Sequence, residues 1–227
     1  MPVNSVNGAC MLHLQSMSAT EFFHEFVNQL KLTTPLEATG VIFGMISVVL
    51  ANRNHVGLYP TGIVSTAIFI YLMGKPSVGL YAEALLNAYY FIMSIYGWIK
   101  WYKGHESESA RAITSNTPKD WAIVAGIVAI GWCVLYYLLS TYTNSDVSVW
   151  DAIVSSTACA GMWLLAKHKL ENWILLNISN AIAIPLLIHK HLPLTACLTL
   201  FLFIVAVSGY IRWRKLYLQS HKPQHGQ

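Results

Sequence analysis

The stretch NWILLNISNAIAIPLLI, residues 172–188, decides the fold class because it is apolar over the length of a transmembrane helix yet carries polar side chains near its middle. A helix needs about 17–25 mostly apolar residues to cross a bilayer. Trp173, Asn177 and Asn180 fall within about 60° of one another on such a helix. An unpaired amide in hydrocarbon costs free energy. The stretch therefore predicts a transmembrane helix whose polar face meets other helices or a ligand.

The composition of the whole chain agrees with this interpretation. Of its 227 residues, 55% are hydrophobic and 11% are charged, and the mean hydropathy is +0.48. Soluble domains carry about 25% charged residues, so an ordinary soluble fold is excluded and an all-α polytopic membrane protein is predicted. The four cysteines have neither zinc-site nor disulfide-framework spacing. We expect no cofactor, no metal and no nucleic-acid partner.

Seven apolar segments are long enough to be candidate transmembrane spans. They lie at about 36–51, 57–73, 78–101, 121–142, 149–166, 170–188 and 192–213. Before them, residues 21–32 place their apolar side chains on one helical face, which predicts a short helix lying in the membrane interface. Residues 1–18 lack the basic and apolar regions of a cleaved signal peptide.

Three of the spans begin with sequences that are typical of capped helices. TPLE (34–37) and TPKD (117–120) each offer a threonine N-cap, a proline at the first helical position and an acid two residues later. SVWD (148–151) predicts a third capping box. We therefore expect Glu37, Asp120 and Asp151 to accept free N–H groups at helix starts.

The distribution of lysine and arginine predicts the orientation of the chain. With seven spans, one side of the membrane holds 3 of these cations and the other holds 11, which accounts for all 14. Cytoplasmic loops carry the excess of Lys and Arg. The C-terminus is therefore predicted in the cytoplasm and the N-terminus outside.

Two short matches indicate an internal repeat. GWIKW (97–101) ends the third span and GYIRW (209–213) ends the seventh, while the dipeptide Leu-Ala occurs at 50–51 and again at 165–166, near the ends of the first and fifth spans. Spans 1–3 and 5–7 are thus predicted to be parallel copies joined by span 4, a 3+1+3 arrangement known from SWEET-like transporters. The predicted regions are an N-terminal segment 1–35, a first repeat 36–101, a cytoplasmic loop and linking helix 102–148, a second repeat 149–213 and a tail 214–227.

A second polar stripe lies on the third span. Glu83, Asn87, Tyr90 and Ser94 fall within about 60° of one another, and Asn87 reaches mid-membrane depth. Polar groups inside a membrane mark functional sites by default, although Asn and Ser also bridge packed helices. An aromatic plane beside amides suits a planar heterocycle that carries hydroxyls. For Glu83, pairing with a cationic ligand, proton coupling and simple hydration all remain open.

These residues resemble the bacterial nicotinamide riboside transporter family, PnuC. The resemblance covers residues 36–214 and is carried by LLNAYYFIMSIYGWIKW (85–101), which contains an NxxY motif at Asn87 and Tyr90, and by NWILLN (172–177). Trp173 and Asn177 form the WxxxN half of the family's WxxWxxxN motif. Its first tryptophan would fall at Leu170, so no role is carried over to that position.

The resemblance implies a SWEET-like fold in the bacterial inner membrane and import of nicotinamide riboside, a precursor of NAD, by facilitated diffusion. It implies trapping of the imported vitamin by a cytoplasmic ribosylnicotinamide kinase, and no enzymatic activity of the chain itself. The substrate-binding residues that follow are Trp173, Asn177, Asn87 and Tyr90, with Asn180 and Glu83 as further candidates. Besides the substrate and the lipid bilayer, a second copy of the chain is a possible partner.

The sequence leaves two other functions open and disfavours a third. Sister groups of the family handle thiamine or riboflavin, so the vitamin could differ. A membrane receptor that binds without transporting would have the same kind of site. An intramembrane metalloenzyme would use His168, His189 and His191, but His168 is predicted on the opposite side of the membrane from the other two, and no acidic cluster supports them.

Overall fold

The computed structural model describes residues 18–103, 112–142 and 147–220, and these ranges contain eight helices and no strand. The helices are α1 Ala19–Leu32, α2 Pro35–Asn52, α3 Leu58–Met73, α4 Tyr81–Lys103, α5 Pro118–Tyr142, α6 Ser148–Ala166, α7 Asn172–His189 and α8 Pro193–Ser220. The predicted all-α class is confirmed. The expectations for the first 17 residues, for much of the α4–α5 loop and for the last seven residues lie outside the described ranges.

Five of the described helices are long and apolar enough to cross a membrane. They are α2, α5, α6, α7 and α8. The apolar α3 has 16 residues and is shorter than this class, and α4 has 23 residues but carries Glu83, Asn87 and Ser94 among its apolar ones. The five apolar helices make the chain a polytopic membrane protein.

Two of the three predicted helix caps are formed. Thr34 accepts a hydrogen bond from the Glu37 N–H, and Thr117 accepts one from the Asp120 N–H while the Asp120 carboxylate accepts the Thr117 N–H in return. The cap predicted at Ser148 is wrong: α6 begins at Ser148 itself, so Val147 is the N-cap residue and no side chain caps it. The neighbouring Asp151 instead forms an ion pair with Lys190, at 2.5 Å.

The helices pack as two similar bundles, which we call the first bundle (α2–α4) and the second bundle (α6–α8). In each, the middle helix packs against the other two. The bundles meet where α4 contacts α6 and where α2 contacts α8. The third helix of each bundle thus packs on the first helix of the other. The linking helix α5 lies mainly against α6, and α1 packs on α8.

Corresponding contacts recur in the two bundles. Ser65 of α3 donates to the Gly40 carbonyl, and Ser179 of α7 donates to the Val154 carbonyl, both at 2.8 Å and both across 25 residues. The two pairs are related by a shift of 114 residues. The Leu-Ala match gives a shift of 115 and is therefore wrong by one residue, because α2 continues one residue beyond its Leu-Ala pair whereas α6 ends on it.

Candidate functional site

A cavity of about 340 Å³ lies between the two bundles. All six bundle helices contribute to its lining, whereas α1 and α5 do not. Its volume falls at the lower end of the range of about 300–1,000 Å³ that small-molecule sites occupy. The cavity is thus large enough for a small organic molecule. Its lining includes residues of α4 and α7, the two helices that carry the polar stripes.

Four of the six sequence-predicted site residues line this cavity. Asn87 and Tyr90 reach it from α4, and Trp173 and Asn180 reach it from α7. The structure therefore brings the NxxY pair and the tryptophan of the WxxxN pair to one space. Ser94, one turn beyond Tyr90, lines the same space.

The other two predicted residues, Asn177 and Glu83, do not belong to the lining. The Asn177 side chain turns back along its own helix, where its Nδ2 donates to the Trp173 carbonyl at 2.8 Å. The backbone carbonyl of Glu83 accepts a hydrogen bond from Asn87 Nδ2 at 2.9 Å. Asn177 lies at the edge of its stripe, whereas Glu83 lies in the first turn of α4, one turn before Asn87, and so differs from the lining residues in its position along the helix rather than around it.

Trp173 is the most constrained of the lining side chains. It is 1% exposed, packs edge-on against Trp213 with ring centroids 5.6 Å apart, and lies over Gly209 of α8. Its indole N–H has no hydrogen-bond partner among the described residues. A buried donor without an acceptor carries a desolvation cost, so a bound molecule that supplies an acceptor would relieve it.

The first bundle repeats this arrangement with a different aromatic residue. Tyr59 is the second residue of α3, as Trp173 is of α7. It lies over Gly97 and packs edge-on against Trp101 with centroids 6.3 Å apart. Tyr59 and Trp173 belong to one buried cluster with Ala51, Leu58 and Leu165, which also line the cavity. This cluster closes the cavity at the end where the α2–α3 and α6–α7 loops lie.

His168, in the α6–α7 loop, lies between the two bundles at the closed end. Its ring centroid is 4.9 Å from that of Trp101 and 6.0 Å from that of Trp213. Burial, and secondarily the charge of Lys100, lower the pKa of His168 from 6.5 to about 4, so its ring is neutral at pH 7. Within the described residues, no group of three or more His, Cys, Asp or Glu side chains could hold a metal ion.

The end of the α4–α5 loop is fastened to the α6–α7 loop. Thr114 exchanges backbone hydrogen bonds with His168 and Leu170, at 3.1 and 2.9 Å. The Glu171 carboxylate accepts hydrogen bonds from the Ser115 hydroxyl and from the Asn116 N–H. These bonds fix the start of α7, two residues before Trp173.

Sequence reasoning missed a group of hydroxyl side chains in the cavity lining. Ser47 of α2, and Ser65 and Thr66 of α3, line the cavity on the first-bundle side together with Ser94. Each lies in an otherwise apolar run, and single hydroxyls in such runs usually serve helix packing. The helical phase that Ser47 shares with Gly40 and Gly44 could have indicated a common face.

Comparison with known proteins identifies the family. A family profile described as "Nicotinamide mononucleotide transporter" matches residues 34–215, which is most of the chain. The chain belongs to the nicotinamide mononucleotide transporter family. Because this is a family of transporters, the protein is a membrane transporter rather than an enzyme.

One solved structure has the same fold as this chain. The crystal structure of the vitamin B3 transporter PnuC superposes with a TM-score of 0.64 at 21% sequence identity, over 89% of this chain and 93% of that chain. No curated protein sequence matches the chain. The resemblance to PnuC noted from the NxxY and WxxxN motifs is confirmed by the family match.

Proposed function

We propose that the protein imports nicotinamide riboside across a bacterial inner membrane by facilitated diffusion. The observation that carries this proposal is the cavity between the bundles, which is lined by Trp173, Asn180, Asn87 and Tyr90. The indole provides an aromatic face for the nicotinamide ring, and the amides provide donors and acceptors for the carboxamide and the ribose. Asn177 and Glu83 are proposed to support this site from the helix surfaces beside it.

The absence of charge in the lining favours the riboside over the mononucleotide named in the family description. Among the described residues, no Asp, Glu, Lys or Arg lines the cavity. A phosphate monoester carries a charge of about −1.5 to −2 at pH 7, and burying it without a cationic partner is strongly unfavourable. The riboside carries one positive charge, delocalised over its pyridinium ring, which a tryptophan face stabilises through a cation–π interaction.

We propose that seven helices, α2–α8, span the membrane as two parallel three-helix repeats joined by α5. The matched Ser65 and Ser179 hydrogen bonds and the reciprocal contacts of α4 with α6 and α2 with α8 support this arrangement. The same pairing supports a rocking motion of one bundle against the other, with the cavity between them. The proposed repeats correspond to residues 36–101 and 149–213.

The proposed orientation places the α2–α3, α4–α5 and α6–α7 loops in the cytoplasm. Cationic residues gather at this end of the described structure, where Lys169 pairs with Asp120 at 2.9 Å and lies close enough to Lys100 for the two charges to interact. Such an excess is typical of cytoplasmic loops. The cytoplasmic kinase that traps the imported riboside would receive it at this end.

Binding measurements on purified protein test the substrate and the site together. We expect calorimetry to detect nicotinamide riboside binding that nicotinamide mononucleotide, thiamine and riboflavin do not match. Asn180→Ala and Asn87→Ala should each weaken binding by about fivefold to tenfold, the effect of one lost hydrogen bond. The control Asn28→Ala removes an amide of α1, a helix that does not line the cavity, and should keep the affinity. Tighter binding of the mononucleotide, or unchanged affinity in both cavity variants, would contradict the proposal.

A further inference from the structure

The two bundles present opposite chemistry to the cavity at corresponding positions. The shift of 114 residues relates Ser47 to Gly161 and Gly62 to Leu176. In the first bundle these positions hold a hydroxyl and a glycine that lie close together, since a Cβ on Gly62 would stand 3.1 Å from Ser47 Oγ. In the second bundle, the Leu176 side chain occupies the position that corresponds to Gly62 and lies 2.9 Å from where a Cβ on Gly161 would stand. At this pair of positions the first bundle therefore presents a hydroxyl to the cavity and the second bundle presents an aliphatic side chain.

We propose that the first-bundle side recognises the sugar hydroxyls of the transported riboside, through a set of residues that we call the hydroxyl wall. The hydroxyl wall consists of Ser47, Ser65, Thr66 and Ser94. This inference rests on the proposed function, and it names the residues that determine specificity for the sugar. Leu176 and Trp173 of the second bundle are then left to the base.

The hydrogen bonds of the hydroxyl wall determine what it can bind. Ser47 donates to the Leu58 carbonyl at 2.7 Å, Ser65 to the Gly40 carbonyl at 2.8 Å, and Thr66 to the Gly62 carbonyl at 2.7 Å. A hydroxyl has one proton and two lone pairs. Because these protons are already used, the three side chains offer lone pairs only. These three members of the hydroxyl wall therefore select ligand groups that donate, as the hydroxyls of a ribose do.

Gly62 lets two members of the hydroxyl wall approach each other. A Cβ at this position would lie 3.1 Å from Ser47 Oγ and 3.3 Å from Ser94 Oγ, so the two hydroxyls converge over Gly62, and all three residues line the cavity. Gly62 thus lets groups from α2 and α4 act on one ligand. A side chain at position 62 would displace these two hydroxyls, whereas Leu176 occupies the corresponding position of the second bundle.

An independent observation indicates that this cavity receives a polar ligand. The indole N–H of Trp173 is buried, belongs to a side chain of the lining, and has no acceptor among the described residues. A ligand that accepts from this indole and donates to the hydroxyl wall would satisfy both groups. A riboside carries both complements, since its hydroxyls donate and its oxygens accept.

Deoxy analogues of nicotinamide riboside test this inference in the purified full-length protein. We expect calorimetry to show that the 2′-deoxy or the 3′-deoxy riboside binds about fivefold to tenfold more weakly than the riboside, the effect of one lost hydrogen bond. Thr66→Val and Ser47→Ala should weaken riboside binding by a similar factor. At least one of these variants should leave the affinity for one deoxy analogue unchanged, because the missing hydroxyl and the missing acceptor form one pair.

The control variant is Thr61→Val on the same helix. Thr61 donates to the Gly57 carbonyl at 2.7 Å, as Thr66 does to that of Gly62, but it does not line the cavity. It should keep the affinity for the riboside and for both analogues. Equal affinities for the riboside and both deoxy analogues in the unmodified protein would overturn the hydroxyl wall while leaving riboside transport in place. Equal weakening of all three ligands in both variants would also overturn it, since that pattern reports packing. Failure of the unmodified protein to bind the riboside would overturn the proposed function itself.

Discussion

The contact between Gly209 and Trp173 offers a direct test of how the cavity is built. A Cβ added at Gly209 would lie 2.8 Å from Cε2 and Cζ2 of the indole, whereas ordinary Cβ contacts are 3.4 Å or longer. Gly209→Ala therefore requires the indole or α8 to move by several tenths of an ångström. Trp213 packs against the same indole, with centroids 5.6 Å apart, and restricts that movement. Overpacking of this kind costs about 1–3 kcal/mol.

A matched variant separates this cost from helix propensity. Alanine is favoured over glycine within a helix by roughly 0.5–1 kcal/mol, and this gain applies equally to Gly126→Ala in α5, where a Cβ would meet no atom within 4 Å. The free energy of unfolding of Gly209→Ala should therefore be about 1–3 kcal/mol below that of Gly126→Ala. For a chain of this size, each 1 kcal/mol shifts the unfolding temperature by about 2–4 °C.

Thermal unfolding in detergent, followed by tryptophan fluorescence, measures this difference, and calorimetry gives the riboside affinity of the same samples. We expect Gly126→Ala to unfold at or above the temperature of the unmodified protein and to keep its affinity. Gly209→Ala should unfold several degrees lower and bind more weakly, because the displaced indole lines the cavity. Equal unfolding temperatures for the two variants would refute the tight contact between Gly209 and Trp173.

The remaining predictions concern the closed end of the cavity. Gly97→Ala should be more destabilising than Gly209→Ala in the same thermal assay, because its Cβ would stand 2.3 Å from the Tyr59 ring; a smaller effect would contradict the packing. Glu171→Ala should lower the free energy of unfolding by about 1–3 kcal/mol, since Asn116 N–H loses its buried acceptor; an unchanged unfolding temperature would show that this attachment of the loop is not stabilising. The folded-state pKa of His168 is lowered to about 4, so the unfolded chain binds its proton first and stability should fall as the pH drops from about 6.5 to about 4. His168→Asn should reduce this loss of stability at low pH. If the stability of the variant depends on pH as that of the unmodified protein does, the lowered pKa of His168 is contradicted.

The helices were predictable because their apolar runs and capping residues are local signals. Thr34 and Thr117 cap their helices as the sequence predicts, and α1 begins with a complete capping box between Ser18 and Glu21. The cap predicted at Ser148 was wrong because the same sequence pattern permits a helix that begins one residue earlier. A propensity of this kind fixes a helix start only to within one or two residues.

The site was predictable only in part because helical phase gives a face but not what packs on it. Asn177 and Trp173 share a face, yet the Asn177 amide bonds to its own helix while the Trp173 ring reaches the cavity. Tyr59 and His168 owe their positions to contacts with distant helices. The attachment of Thr114 to the α6–α7 loop joins segments more than fifty residues apart. Nothing in the local sequence reports such contacts.

Uptake of labelled nicotinamide riboside into sealed proteoliposomes, without ATP or an ion gradient, tests the proposed facilitated diffusion most directly. The account predicts protein-dependent entry that stops when the inside and outside concentrations are equal. Encapsulated ribosylnicotinamide kinase with ATP should then raise the total label inside, because it removes free riboside. Accumulation above the outside concentration without the kinase would contradict passive transport, and failure of the riboside to enter through protein that binds it would contradict transport altogether.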